Sequence, residues 1–319
     1  MDALLAALRA AAEPTRLRLL ALAARGAFCV TELTEILGQS QPRLSRHLKL
    51  LCDSGLLARE REGANAWFAL PTGPDGALAR ELVAHLPAAD AILEADRRQA
   101  ARVLAERARA ANERFRRQGA DWDEMRALDL PAQAVEAALL SLIPEHAATR
   151  LLDIGTGTGR VLELLAPHVA QGLGVDASKA MLALARARLA RAGLTHCAVR
   201  LADMYRLPLA DAGFDIAVLQ MVLHYAEDPA GVLAEAARVL RPGGRLIVID
   251  LAHHERDDLT ARLAHRWPGF ADTTMQDLLA EADLAPDEAL TVAGPLAIRL
   301  WSATRAAAAA VVPSRELAV

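Results

Sequence analysis

The stretch Leu151-Leu-Asp-Ile-Gly-Thr-Gly-Thr-Gly159 decides the reading of the larger part of the chain. An apolar strand runs into a glycine-rich turn, and a helix follows. Glycines let the backbone approach a ligand closely, and a helix N-terminus adds N–H donors. The pattern is Asp-x-Gly-x-Gly-x-Gly rather than Gly-x-Gly-x-x-Gly. An acid at the strand end would repel a pyrophosphate and suits an ammonium group. Working outward, strand and helix patterns alternate, with strands expected at 150–154, 171–176, 197–201, 214–220, 245–250, 288–293 and 297–304. That alternation predicts an α/β fold, a doubly wound parallel sheet of Rossmann-like type.

The strand ends carry the chemistry. Asp176 closes the second strand in GLGVDAS, where an acid can bridge two ribose hydroxyls. Asp203-Met204 follows the third strand, where a carboxylate can accept from an adenine amino group. The fourth strand, Phe214-Asp-Ile-Ala-Val-Leu-Gln220, ends in a polar residue over the crevice, and Leu240-Arg-Pro-Gly-Gly-Arg-Leu-Ile-Val-Ile-Asp250 feeds a fifth. Together these motifs resemble the class I S-adenosylmethionine-dependent methyltransferases over about residues 121–305. LLDIGTGTG, ADMYRLPL and LRPGGRLIVID are similar to the quinone-biosynthesis C-methyltransferase group. The resemblance implies S-adenosylmethionine as cofactor and S-adenosylhomocysteine as product or ligand. It implies that Asp153, Gly155, Gly157 and Gly159 hold the amino-acid end, Asp176 the ribose, and Asp203 and Met204 the adenine. Gln220 would line the methyl site, and Thr156 and Ala177 complete the cofactor-binding set.

Methyl transfer is in-line attack on a sulfonium, helped by a base when the acceptor must lose a proton. His224, Tyr225, His253, His254 and His265 lie near strand ends. His224, in LHYAEDP, is the candidate catalytic residue; packing beside the cofactor or capping a helix is the competing reading. His253 and His254 are adjacent and cannot face one point on a helix, so no metal site is expected. Arsenite methylation uses several cysteines, and Cys197 alone lies in this part of the chain, which excludes that acceptor.

Residues 1–70 read differently. Helices are expected at 14–25 and at 31–37 behind Thr31 as N-cap. Gly38 allows a tight turn, Ser40 caps the next helix, and Leu44, Leu48 and Leu51 form one buried stripe. Two strands are expected over 57–70 about a turn at Gly63-Ala64-Asn65. The second helix of the pair carries Gln41, Arg43, Ser45, Arg46, His47 and Lys49 and no acid on its other faces. Such side chains reach phosphates and base edges from a helix in the major groove. Arg59 and Arg61 on the first wing strand can meet backbone phosphate or the minor groove. SQPRLSRHLKLLCDSGLLAREREGANAWFAL resembles the winged helix-turn-helix of the ArsR/SmtB transcriptional regulators, over about residues 5–70. That resemblance implies a homodimer on a double-stranded DNA operator. Many members sense metals through a cysteine pair; GAFCVTEL offers only Cys29, and a lone cysteine cannot supply a three-sulfur site. Cys29 and Cys52 read as small buried hydrophobes.

The composition agrees. The 319 residues are 53% hydrophobic and 24% charged, which excludes disorder for most of the chain and fits two domains. No run of roughly 18 apolar residues appears. MDALLAALRA lacks the marks of an export signal, so a cytoplasmic location is expected. Three widely spaced cysteines exclude a disulfide scaffold and a four-cysteine zinc site. Residues 1–118 hold 18 Lys+Arg against 14 Asp+Glu, and residues 119–319 hold 18 against 26. A basic front half suits a nucleic-acid partner.

Four segments are expected: a winged helix-turn-helix domain (1–76), a helical linker or dimerisation segment (77–120), a methyltransferase domain (121–305) and a tail (306–319). Helices at 77–86 and 90–117 fill the linker. Leu93, Ala100, Leu104, Ala108, Ala111 and Phe115 share a stripe for another subunit or the following domain. The expected function is a DNA-binding regulator whose second domain methylates a small molecule. Two alternatives stand beside it: a non-catalytic sensor of S-adenosylmethionine or S-adenosylhomocysteine, and an enzyme whose front domain only dimerises.

Overall fold

The computed structural model describes residues 1–62, 65–71, 73–87, 89–117, 130–144, 150–256, 258 and 265–306. The N-terminal part comprises α1 (Asp2–Ala11), α2 (Pro14–Ala23), β1 (Phe28–Cys29), α3 (Val30–Leu37), α4 (Gln41–Asp53), β2 (Ala58–Glu62), β3 (Asn65–Ala69), α5 (Ala77–Ala84) and α6 (Ala91–Arg117). Its three strands pair in the order β1-β3-β2, antiparallel throughout. Gly38 takes φ +64°, a left-handed C-cap that turns the chain from α3 into α4. Leu44, Leu48 and Leu51 are at most 1% exposed and pack with Leu19, Leu20 and Phe28. Each such burial contributes about 1.5–3 kcal/mol.

Two caps differ from expectation. Cys29, not Thr31, is the N-cap of α3: the Glu32 carboxylate accepts the Cys29 N–H at 2.9 Å, and Thr31 lies inside the first turn. Ser40 holds the N-cap position of α4, but its hydroxyl makes no capping bond. The expected turn at Gly63-Ala64, the side chains of Ala108, Ala111 and Phe115, the helix stop at Gly119 and the tail from 307 lie outside the described residues. Ala100, Val103 and Leu104 of α6 pack onto the N-terminal core, and the helix also packs along the helix Lys179–Arg191 of the second part. Ala100 and Leu104 of the apolar stripe therefore serve the N-terminal core.

The second part comprises α7 (Ala132–Ser141), β4 (Arg150–Ile154), α8 (Arg160–Leu165), β5 (Gln171–Asp176), α9 (Lys179–Arg191), β6 (Cys197–Leu201), β7 (Phe214–Gln220), α10 (Pro229–Val239), β8 (Leu240–Leu251), α11 (Asp272–Glu281), β9 (Leu284–Pro286), β10 (Leu290–Val292) and β11 (Ile298–Arg305). The sheet order is β10-β11-β8-β7-β4-β5-β6, with β9 also on β11. Strands β6, β5, β4, β7 and β8 are mutually parallel. Strand β11 runs antiparallel to β8, a mixed edge on the doubly wound parallel sheet expected. A parallel pairing needs a crossover immediately before the strand, whereas β11 is entered from its antiparallel neighbour β10 across a short return.

Side-chain alternation covers both sheet faces. Leu151, Ile216, Val218 and Ile247 pack under α7, α8 and α9; Leu152, Ile154, Leu219 and Val248 pack under α10 and α11. Among the described residues no helix is long and apolar enough to cross a membrane. The cysteines are free, Cys197 buried and Cys29 and Cys52 half-buried. Burial pushes all three thiols up, Cys197 to about 11, so they stay unionised.

Candidate cofactor crevice and nucleic-acid face

The glycine-rich stretch forms a bend between β4 and α8. Gly155, Gly157 and Gly159 take φ of +74°, +51° and +76°. Side chains seldom adopt that region. A Cβ at Gly155 would stand 2.6 Å from the Val222 side chain. The N–H groups of Gly155 and Thr156 both donate to the Val175 carbonyl, at 2.8 and 2.9 Å. The Gly157 N–H donates to Asp176 Oδ2 at 2.9 Å, and the Ser178 N–H to Oδ1 at 2.7 Å. The bend is thus sewn to the end of β5, and the half-buried Asp176 carboxylate is held at the crevice edge.

Asp153 lies beneath the bend, 1% exposed, and its Oδ2 accepts the Thr156 hydroxyl at 2.5 Å. Burial pushes it up to about 7, helped by the Asp176 charge and opposed by the Thr156 bond. Burial also raises Asp176, opposed by its bonds from Ser178 and Gly157. Ala177 is exposed directly after Asp176. Asp203, exposed beyond β6, accepts the Tyr205 N–H at 3.0 Å. Met204 is half-buried against the core, and Gln220 is the half-buried last residue of β7. Neighbouring parallel strands bring these residues to one end of the sheet.

A second cluster borders this end. Met221 takes φ +52°, uncommon for a side chain, while its N–H donates to the Ile249 carbonyl at 2.8 Å. The chain then enters a 3₁₀ turn, Leu223–Tyr225. His224 is 0% exposed, and its Nδ1 lies 2.6 Å from Asp250 Oδ1. Asp250 Oδ2 accepts the N–H groups of Leu223 and His224, at 3.1 and 3.3 Å. A proton on Nδ1 given to the carboxylate makes Nε2 the lone-pair nitrogen. His265 lies against His224, with 4.3 Å between ring centroids and 46° between ring planes, because Arg266 and Trp267 donate their N–H groups to the His224 carbonyl. His254 Nε2 is buried with no hydrogen-bond partner among the described residues, and burial lowers that histidine's pKa. His253 is exposed. Sequence reasoning gave no role to Asp250, although an acid inside the apolar run LIVIDL was a usable signal. Nothing in the sequence singles out Met221.

On the N-terminal part, Ser40, Gln41, Arg43, Ser45, Arg46 and Lys49 are exposed along the start and outer side of α4. His47 differs from its neighbours: it is half-buried, with Nδ1 3.6 Å from Glu13 Oε2. Arg59 and Arg61 are exposed on β2. Strand alternation sends the intervening Glu60 the other way, into an ion pair with Arg200 at the end of the second part's sheet.

Comparison with known proteins agrees with this division. Residues 13–59 match the arsR family of bacterial regulatory proteins, and residues 152–248 match a methyltransferase domain family. A 37.1 kDa protein of transposon TN4556 from Streptomyces fradiae is 38% identical over 120 residues, 37% of this chain and 34% of that protein. A demethylmenaquinone methyltransferase of Tropheryma whipplei is 36% identical over 119 residues, 37% of this chain and 48% of that enzyme. The chain thus spans about a third to a half of the length of such relatives. Among solved structures, a chain of the Haloferax volcanii complex between the Trm112 methyltransferase activator and a methyltransferase superposes with TM-score 0.51 at 19% identity. It covers 59% of this chain and 98% of that one, a likeness of fold. The protein joins a helix-turn-helix segment that matches the arsR family to a Rossmann-like domain that matches a methyltransferase family.

Proposed function

We propose that this protein is a DNA-binding regulator whose second domain binds S-adenosylmethionine and methylates a small molecule. The observation that carries the reading is the left-handed glycine bend closed by the Gly157–Asp176 hydrogen bond. A bend stripped of Cβ atoms beside a half-buried carboxylate suits an adenosyl cofactor whose ribose presents two hydroxyls. Asp203 and Met204 would meet the adenine, and Ala177 and Gln220 would flank the ribose and the methyl group. When bound, the cofactor supplies an electrophilic methyl on a sulfonium. Asp153 would stabilise the cation across the bend, and Thr156 would hold that carboxylate in place.

His224 would accept the acceptor's proton at Nε2 as the new bond to methyl forms and the S–CH₃ bond breaks. Asp250 would orient the ring and stabilise its charged form. The exposed basic residues of α4, with Arg59 and Arg61, would contact duplex DNA, and Gln41 and Ser45 could read base edges. His47, drawn toward Glu13, would contribute least. Leu4, Leu5 and Leu8 of α1 are 47%, 40% and 42% exposed, an apolar strip that supports a homodimer. A cytoplasmic operator complex follows from the same reading.

Four outcomes are expected. Asp176→Ala should weaken S-adenosylmethionine binding about a hundredfold or more by calorimetry, as two charge-assisted hydrogen bonds are lost; duplex affinity without cofactor should be unchanged. Unaltered cofactor affinity would remove Asp176 from the site.

Asp153, near pKa 7, is largely protonated below neutrality. A cation favours its ionised form, so binding should release a proton near pH 6.5. Affinity should fall by up to about tenfold per unit as pH drops below 6, and level off above 8. Calorimetry in buffers of different ionisation enthalpy reads the released proton, and its absence would contradict this role.

Nitrogen-15 NMR should find neutral His224 with its proton on Nδ1, shifting toward a mixture in Asp250→Asn. A proton on Nε2 at neutral pH would exclude His224 as the base.

Duplex affinity should fall steeply with salt. About five phosphate contacts per domain give a slope of log K against log salt of roughly −4. A flat response in fluorescence anisotropy would remove α4 and β2 from the DNA interface.

A further inference from the structure

A cavity of about 440 Å³ lies between the two parts of the chain, within the size range of small-molecule sites. One wall is the base of the winged domain, with Ala24, Arg25 and Gly26 after α2, Trp67 and Ala69 on β3 and Arg80 on α5. The facing wall is the second part's sheet at the starts of its parallel strands, with Arg150, Gly172, Cys197 and Phe214. The glycine bend, Asp176 and Gln220 stand at the other ends of those strands. Strands of five to seven residues span about 16–23 Å, so cavity and cofactor crevice are separate places.

The lining has two characters. Most of it is alanine, leucine, valine and aromatic surface. Among the described residues its charged side chains are Arg25, Arg80, Arg150, Arg186 and Arg200 against the one carboxylate of Glu60. Glu60 is already paired with Arg200. Arg186 is only 7% exposed, whereas Arg25 and Arg150 are exposed. Its guanidinium lies 4.2 Å from the Trp67 ring centroid, and Arg107 lies 4.7 Å from the same ring. The Trp67 indole N–H is buried and has no acceptor among the described residues. An apolar space rimmed by guanidinium groups is complementary to one class of molecule.

We propose that this cavity binds an organic anion with an apolar body, of the size of an aromatic or medium-chain carboxylate. The carboxylate pairs with the exposed Arg25 and Arg150, and the apolar body fills the space between Leu189 on α9 and Ala69 on β3. The ligand touches both domains and so fixes the wing against α9, the helix that begins three residues after Asp176. Occupancy therefore changes duplex affinity; this consequence alone rests on the DNA-binding reading.

Calorimetry of the full chain with 2-naphthoate tests the site. One molecule should bind per chain, with S-adenosylmethionine affinity retained. The neutral analogue 2-naphthylmethanol should bind at least tenfold more weakly. Arg25→Gln/Arg150→Gln, which alters two exposed side chains, should weaken naphthoate at least tenfold and leave the analogue unaffected. Equal binding of acid and alcohol, or no effect of the arginine variant, overturns the proposal, as does absence of binding at millimolar naphthoate. Duplex affinity is then measured with and without naphthoate. Failure of the ligand-free protein to bind duplex would fault the DNA reading alone, and binding that ignores naphthoate would overturn the coupling.

Discussion

Three left-handed glycines within five residues, tied to the next strand by the Gly157–Asp176 hydrogen bond, are the constraint on which the second domain depends. The bend reverses the chain between β4 and α8 without placing a side chain over the strand ends. It also fixes its neighbours. A Cβ at Gly155 would strike Val222, and Val222 follows the left-handed Met221 that opens the turn carrying His224. Cofactor crevice and His224 cluster are therefore packed against each other, and a substitution at Gly155 would disturb both. Gly174 closes the arrangement from below: a Cβ there would stand 2.5 Å from the Thr156 hydroxyl oxygen.

The sequence was most legible where periodicity and chemistry coincided. The strands at 150–154, 171–176, 197–201 and 214–220 lie at the expected residues, because each is a short apolar run bounded by turn residues. Leu44, Leu48 and Leu51 are buried together as their spacing required. Local caps were less legible. Thr31 looked like an N-cap because a hydroxyl can always serve, but Glu32 reaches back to the Cys29 N–H and also pairs with Arg107 from α6 at 2.6 Å. A tertiary ion pair thus reinforces where that helix starts. The direction of β11 depended on the short return from β10, which leaves no periodic trace. The His224–Asp250 pair joins residues 26 positions apart, and no local pattern announces it.

Of the joint between the domains, the sequence offered only the α6 stripe; the part made by the wing was not legible, although ordinary strand alternation builds it. On β2, Arg59 and Arg61 face outward while Glu60 faces the second domain and pairs with Arg200. On β3, Trp67 lies between Arg107 of α6 and Arg186 of α9. The wing is therefore two-sided, with guanidinium groups exposed on one face and an aromatic-guanidinium joint on the other. Helix α6 packs along α9, whose N-terminus follows the Asp176–Ser178 turn. A continuous set of packed elements runs from the glycine bend to the wing. Coupling along it follows only if these elements have two arrangements that ligands populate differently.

A crystal structure of the full chain grown with S-adenosylhomocysteine addresses the glycine bend most directly. Ligand density is expected over Gly155–Gly159, with both ribose hydroxyls within hydrogen-bond distance of the Asp176 carboxylate and the adenine beside Asp203 and Met204. Density confined to another part of the molecule, or an Asp176 carboxylate turned from a bound nucleoside, would contradict the assignment of this crevice.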